Sequence, residues 1–516
     1  MRIVLIVLSL FFGQPRRTGI RLHRKILILI PKMYVKILFL TLIMYVKILK
    51  IPLIIDVKIL IFILLYQCQM RRKVDGMFKA WKGSPKRKSL VIFGARQVGK
   101  TYSVREFAKS FDHFLEINFE TDKNAGEIFE GEITTDALIS KLRLRYENIT
   151  IEPGKTLIFL DEIQLCPNAF TSLKPFTDDG RYHVVASGSS LGTKYRRETS
   201  FPVGYVDIFT MFSMDFEEYL WAAKMDEEHI SAVRKCIQKT EPIDDFLLSV
   251  FNDRFRDYLI VGGMPEAVTA FMEGKDYTSA RKIQKEINRI YLEDIGKYAD
   301  TTDKSKTMKC FRSIPIQLSK ENKKFMYSEI EKSTNANDRN FGSGINWLID
   351  SYLVNPCYNL QEPHIPLISN AIQSSFKLFY HDTGLLMSMM ESQVAWSVFN
   401  GDVYANKGAL MENAVSEALV KNGIDTYHFT KRSFETDFII PMDRDVAVIE
   451  VKSGNNKRAR AIYSVMSEKY GVKRGMFIEN TNIFVDELGL EHYPMFAASF
   501  INSMERYGWE DLKRPV

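Results

Sequence analysis

Apolar positions along the 516-residue chain fall into three regimes. Residues 1–69 are apolar almost throughout, but Lys25, Lys36, Lys47 and Lys58 each open a Lys-Ile-Leu triplet, eleven residues apart, and Met33–Leu38 returns intact as Met44–Leu49. The recurring lysines keep every apolar run short of the roughly eighteen residues that span a membrane. From Ser89 to about residue 222, short β-rich runs alternate with helical periodicity. Ser89–Phe93, Phe114–Phe119, Thr156–Leu160 and Tyr182–Ala186 read as strands, and Ser103–Lys109 as a helix after the first. Such alternation predicts a parallel sheet covered by helices on both faces.

The third regime is mostly helical. Met214–Trp221 opens it, Gly262-Gly263 before Pro265 reads as a turn opening a helix, and Ser279–Tyr298 is a long helical pattern. Lys304–Leu318, Tyr327–Glu331 and Gly344–Leu353 predict three helices, with Val354–Leu367 as a β-wing after them. Together these have the layout of a winged helix-turn-helix, or of a plain helical connector. The last hundred or so residues return to α/β, with a helix at Gly408–Val420, strands at Thr436–Ile440 and Asp445–Lys452, and a turn at Ser453-Gly454.

Chemistry enters where the first strand ends. Gly94, Ala95, Arg96, Gln97, Val98, Gly99, Lys100 and Thr101 fit G-x-x-x-x-G-K-[ST] at every fixed position, between a strand and a helix. Glycines let backbone N–H groups wrap a phosphate, and the helix N-terminus adds the positive end of its dipole. Lys100 is expected to reach the β- and γ-phosphates and Thr101 to offer its hydroxyl to Mg²⁺. Thr156–Leu160 runs into Asp161 and Glu162, two carboxylates at the carboxyl edge of a parallel sheet. Asp161 is expected to hold Mg²⁺ through water, and Glu162 to orient and deprotonate the attacking water. The adjacent glutamate favours NTP hydrolysis over small-molecule phosphorylation. No Asn-Lys-x-Asp motif is present, so ATP is favoured over GTP. Ser187 and Ser189, at the tip of the Tyr182–Ala186 strand, are candidate γ-phosphate sensors, or parts of an ordinary Gly/Ser turn. A second constellation sits near the C-terminus. Glu450 and Lys452 share a strand face by the period of two. Asp437 and Glu450 could share one Mg²⁺, with Lys452 positioning a hydroxide for phosphodiester attack and Glu412 on the helix upstream.

Charge changes the picture only in one place. The net charge of +7 comes from the N-terminus: residues 1–70 hold eleven Lys/Arg and one acid, leaving 59 basic and 62 acidic residues in the remainder, a net −3. Overall charge therefore gives no case for nucleic-acid binding. Five scattered cysteines without a C-x-x-C pair argue against a disulfide framework or zinc site and fit a reducing cytoplasm. For residues 1–69, translated tandem-repeat DNA upstream of a start at Met70 is the preferred reading, and a membrane-associated leader the rival.

With both constellations in hand, residues 70–516 resemble the bacterial and archaeal AAA-type ATPases that carry a C-terminal domain of unknown function. The resemblance rests on Gly94–Thr101, Leu160–Gln164, Gly188–Ser190, Tyr258–Pro265 and Asp445–Gly454. It implies a P-loop NTPase core of the α/β class with a helical lid, then a winged-helix-like module and a small α/β restriction-endonuclease-like domain of the PD-(D/E)xK type. The implied boundaries are 70–222 for the core, 223–300 for the lid, 301–395 for the winged-helix-like module and 396–516 for the nuclease-like domain. It also implies Gly94, Gly99, Lys100 and Thr101 as ATP contacts, Asp161 and Glu162 at Mg²⁺ and water, and Glu412, Asp437, Glu450 and Lys452 as a nuclease-type site. Relatives often carry Gly-Arg or Gly-Lys where this chain reads Val203-Gly204-Tyr205, leaving Arg196 and Arg197 as substitutes for a trans-acting basic residue. The resulting expectation is a Mg²⁺-dependent ATPase coupled to a nucleic-acid-related domain. The alternative is an ATPase scaffold whose nuclease-like domain is inert and binds a protein. DNA, a protein and further copies of the chain are thus the candidate partners beside ATP; no membrane is expected, and the cytoplasm is the expected location.

Overall fold

The computed structural model describes residues 70–188, 202, 204–298, 304–320, 323–331, 337–401, 407–432, 434–452, 460–467 and 469–504. The chain divides into two units, Met1–Gln69 and Met70–Val516, and the second holds every described residue. Residues 1–69, Ser189, Ser190, Arg196, Arg197, Val203 and the Ser453-Gly454 turn lie outside the described residues.

Five strands form the first sheet: β1 (Ser89–Phe93), β2 (His113–Asn118), β3 (Thr156–Asp161), β4 (His183–Ser187) and β5 (Val206–Thr210), in the order β2-β3-β4-β1-β5. Every neighbouring pair is parallel. The inner strands β1, β3 and β4 are buried along their whole length, which is why they read as unbroken apolar runs. The edge strands β2 and β5 are partly exposed. Side chains of β1 alternate between two cores: Val91 and Phe93 face a core with Leu138, Ile139 and Leu142, whereas Leu90 and Ile92 face one that continues into the helices beyond residue 214.

The helix after β1 begins at Lys100, three residues before the periodicity suggests, because Gly99 caps it in the left-handed region (φ 98°). Lys100 and Thr101 are thereby in the first turn. In the helical tract, Asp215 starts Phe216–Ala222 with a capping box to Glu218, and helices follow at Asp245–Val261, Pro265–Gly274, Tyr277–Tyr298, Lys304–Leu318 and Asp338–Asp350.

The second sheet has eight strands: β6 (Val354–Leu360), β7 (Ala371–Tyr380), β8 (Tyr427–His428), β11 (Phe438–Met442), β12 (Asp445–Lys452), β13 (Arg474–Glu479), β14 (Phe484–Val485) and β15 (Glu491–Pro494), in the order β14-β15-β13-β12-β11-β8-β6-β7. β9 (Thr430–Lys431) and β10 (Phe434–Glu435) form a separate ribbon. The segment read as a wing, Val354–Leu367, supplies only β6, which pairs antiparallel with β7 beyond it and in parallel with β8. A boundary at residue 395 would therefore run through one continuous sheet.

Core and C-terminal half interlock where three backbones cross. A Cβ on Gly263 would lie 1.9 Å from the Met214 carbonyl oxygen, and one on Gly384 would lie 2.4 Å from the Gly262 nitrogen. The buried Asp382 carboxylate bolts the crossing, accepting from the Ser213 hydroxyl at 2.8 Å, the Gly263 N–H at 2.8 Å and the Leu385 N–H at 3.0 Å. Glu417, on the helix Lys407–Lys421, accepts from Thr383 N–H (2.7 Å) and from the Tyr258 hydroxyl (2.7 Å).

Candidate functional site

The carboxyl edge of the first sheet brings together the ends of four strands. Asp161, closing β3, is buried, and its carboxylate accepts from the Thr101 hydroxyl at 3.0 Å, from the Asn118 amide at 3.0 Å, from the Ser187 hydroxyl and from the Glu162 N–H at 3.1 Å. Thr101, Asp161 and Ser187 thus meet, as their spacing suggests. Asn118 was missed. It ends β2 directly opposite Asp161 in the strand register, and its signal was a polar residue closing an apolar strand. Glu162 follows in the left-handed region (φ 53°) and accepts from the Gln164 amide.

The loop itself is tightly held. Gly94 (φ 142°) passes so close to the end of β5 that a Cβ would stand 2.0 Å from the Met211 carbonyl oxygen. The Lys100 ammonium is buried and donates to the carbonyls of Gly94 (2.9 Å) and Ala95 (2.8 Å). Burial pulls its pKa down to about 8, against the opposing pull of Glu162 and Asp161. Arg96 reaches out of the loop to Asp294 (2.7 Å) and Glu120 (3.3 Å). Gln97 stands in the left-handed region (φ 69°), and Val98 is fully buried. A hydroxyl and a carboxylate converging at the mouth of such a loop are the oxygen donors that suit Mg²⁺, so Thr101 and Asp161 fit that ion.

The C-terminal constellation is arranged differently. Asp437 accepts the Val451 N–H at 2.8 Å, and Glu450 accepts from Lys452 at 2.7 Å, so Glu450 and Lys452 share the strand face expected of them. Lysines approach these carboxylates closely. Glu412 accepts from Lys323, and Lys377 of β7, only 2% exposed, lies 2.8 Å from Glu435 and 3.9 Å from Glu412. Burial alone would lower the Lys377 ammonium; Glu412, Glu435 and Asp437 more than reverse this and hold it above its ordinary value. Burial, with Asp437 close by, pushes Glu450 up to about 8 and Glu412 up to about 7. Among the described residues no group of three or more His, Cys, Asp or Glu is placed to hold a metal ion. Lys323, Lys377 and Lys452 bring positive charge to the cluster, yet Glu412 and Glu450 each keep one buried carboxyl oxygen without a hydrogen-bond partner.

Residues 86–220 match the AAA domain family. Residues 252–394 and 407–490 match two families described as domains of unknown function, DUF8612 and DUF4143. The AAA match supports an AAA-type, ATP-binding core. No curated protein matches the chain. Among solved structures, the Aeropyrum pernix ORC1 protein in complex with DNA is similar at 11% identity over 64% of this chain and 91% of that one, with a TM-score of 0.26. Cdc6p from Pyrobaculum aerophilum gives 12%, 70%, 86% and 0.21, and Drosophila ORC bound to DNA gives 10%, 64%, 94% and 0.25. At such TM-scores these likenesses carry no argument. Among the described residues, Cys166, Cys236, Cys310 and Cys357 are free, and no helix is long and apolar enough to cross a membrane.

Proposed function

We propose that residues 94–101, with Asp161, Glu162, Asn118 and Ser187, bind ATP with Mg²⁺ and hydrolyse it. The observation that carries this reading is the convergence on Asp161: a hydroxyl from the loop helix at 3.0 Å and polar groups from the ends of β2 and β4 meet on one carboxylate. Lys100, with a pKa of about 8, remains a cation at neutral pH and offers its charge to the phosphates from inside the loop. Glu162, fixed by Gln164 at the strand end, takes a proton from the water whose oxygen attacks the γ-phosphorus while ADP leaves with the bridging oxygen. Mg²⁺ held at Thr101 and Asp161 would neutralise charge developing on the β- and γ-oxygens. Ser187 and Asn118 hold Asp161 in place. On this reading residues 70–222 are the nucleotide core and 223–300 its lid. Glu162→Gln is the test: phosphate release should fall at least about 100-fold while the ATP analogue mant-ATP still binds. Unchanged turnover would remove the assignment.

For residues 301–516 we infer an ATPase scaffold whose nuclease-like cluster does not cleave, a reading supported by the contacts of Lys323, Lys377 and Lys452 with its carboxylates. Incubating the full chain with plasmid and single-stranded DNA plus Mg²⁺ or Mn²⁺ should leave both intact. Cleavage that is lost in Glu450→Ala would instead support the nucleic-acid reading.

A further inference from the structure

A phosphate-binding loop needs its carbonyls turned away from the anion as much as its amides turned toward it. The peptide plane makes the two requirements one: in a trans peptide the C=O of one residue and the N–H of the next point in opposite directions. Four carbonyls of this loop are tied. Gly94 and Ala95 give theirs to Lys100, within the motif. The other two are tied by residues outside it. The Arg96 carbonyl accepts from the Tyr291 hydroxyl at 2.9 Å, and the Val98 carbonyl accepts from the Arg72 guanidinium at 3.0 Å.

Both anchors are buried and held from behind. Arg72, just before the helix Lys73–Gly83, also donates to the Phe212 carbonyl at 2.9 Å and to Glu218 at 3.0 Å. It packs so close to the loop that a Cβ on Gly99 would sit 3.5 Å from its Nη1. Glu218 is in turn locked in its capping box with Asp215. Tyr291 lies 1% exposed on the helix Tyr277–Tyr298, with its ring against His381 at 5.6 Å. One turn earlier Asn288 accepts from the Tyr380 hydroxyl at 2.6 Å and donates to the Leu385 carbonyl at 3.1 Å, so this helix is fixed to the C-terminal half. The Asp294–Arg96 ion pair sits one turn further on, gripping the same loop residue by its side chain.

We propose that Arg72 and Tyr291 are positioning residues of the nucleotide site: by pinning the Val98 and Arg96 carbonyls outward, they aim the N–H groups of Gly99 and Gln97 at the phosphates. This rests on the nucleotide reading above. Neither residue touches the nucleotide, and each acts through one peptide plane. Tyr291 additionally makes the loop's shape depend on a helix that the C-terminal half holds.

Mant-ADP titration of the full chain with Mg²⁺ tests the proposal, using Tyr291→Phe, Arg72→Lys, Lys100→Ala and, as a control, Tyr277→Phe. Tyr277 is on the same helix, and its hydroxyl donates to Asp257 rather than to the loop. Tyr291→Phe should weaken mant-ADP roughly threefold to tenfold, as loss of one hydrogen bond of about 1 kcal/mol would. Its thermal midpoint without nucleotide should match that of Tyr277→Phe, which keeps full affinity. Arg72→Lys keeps a cation beside Glu218 but loses the planar fork, and should weaken binding at least as much. Unchanged affinity in Tyr291→Phe, with binding lost in Lys100→Ala, would overturn the positioning role and leave the nucleotide site standing. Unchanged affinity in Lys100→Ala as well would overturn both.

Discussion

The carboxyl edge of the first sheet and the acidic cluster of the second contain the same ingredients: a lysine, carboxylates at strand ends and a helix close by. They use them in opposite ways. At the first, Lys100 is satisfied by backbone carbonyls, and Asp161 by hydroxyl, amide and N–H donors, so lysine and acid do not neutralise each other. At the second, Lys323, Lys377 and Lys452 engage Glu412, Glu435 and Glu450 directly. A site built to receive a phosphate and a divalent cation must keep its own charges apart. In the second cluster the charges lie together, and burial with Asp437 close by still holds Glu412 and Glu450 well above the usual carboxyl range. The contrast is between charges kept apart and charges brought together.

The largest effect that would sharpen this contrast lies in the second region. Lys377→Met leaves Glu435 without its buried cation and Glu412 with Lys323 alone, and should cost about 3–5 kcal/mol in urea unfolding, the usual cost of breaking a buried pair from one side. A Lys377→Met/Glu435→Gln/Glu412→Gln variant should recover most of it. If the single variant is as stable as the parent, the internal counter-ion account fails. In the first region, Gly94→Ala places a methyl against the Met211 carbonyl oxygen at a φ of 142°. It should displace the loop and weaken mant-ATP about 100-fold or more.

A pH series distinguishes the regions next. Glu450 is raised to about 8 in the folded chain, above its ordinary value of 4.5. The folded state therefore holds a proton that the unfolded state lacks between those values, and stability falls as pH rises through that window. Glu450→Gln should remove this loss, so its Tm should exceed the parent's at pH 8 and approach it near pH 4.5. Equal pH profiles would contradict the buried-acid reading. The smallest effect expected is that of Asn118→Ala. It removes one hydrogen bond to Asp161 and should lower ATP turnover only a few-fold, as a bond of about 1 kcal/mol implies, with Tm nearly unchanged.

What could be read from the sequence follows from how local each signal is. Gly94–Thr101 and Asp161-Glu162 are contiguous motifs flanked by the strand and helix that their expected roles need, and the structure brings them together. The strand Asp445–Lys452 and the helix Lys304–Leu318 form with the bounds that periodicity gave. The helix after the loop began earlier than its apolar pattern because a left-handed glycine, not hydrophobic spacing, set its start. Long-range partners were not legible. Lys377 on β7 and Lys323, outside any strand, both reach Glu412 on the helix Lys407–Lys421, a meeting that leaves no mark in either segment alone. Arg72 and Tyr291 lie 26 and 195 residues from the loop carbonyls they bind, and before folding each reads as an unremarkable basic or helical position.

The central claim is that the loop at 94–101 is a working nucleotide centre, and steady-state phosphate release from ATP by the full chain with Mg²⁺ tests it most directly. Turnover should be measurable in the parent, vanish on Lys100→Ala and vanish when EDTA removes the metal. Turnover by Lys100→Ala equal to the parent's would contradict it.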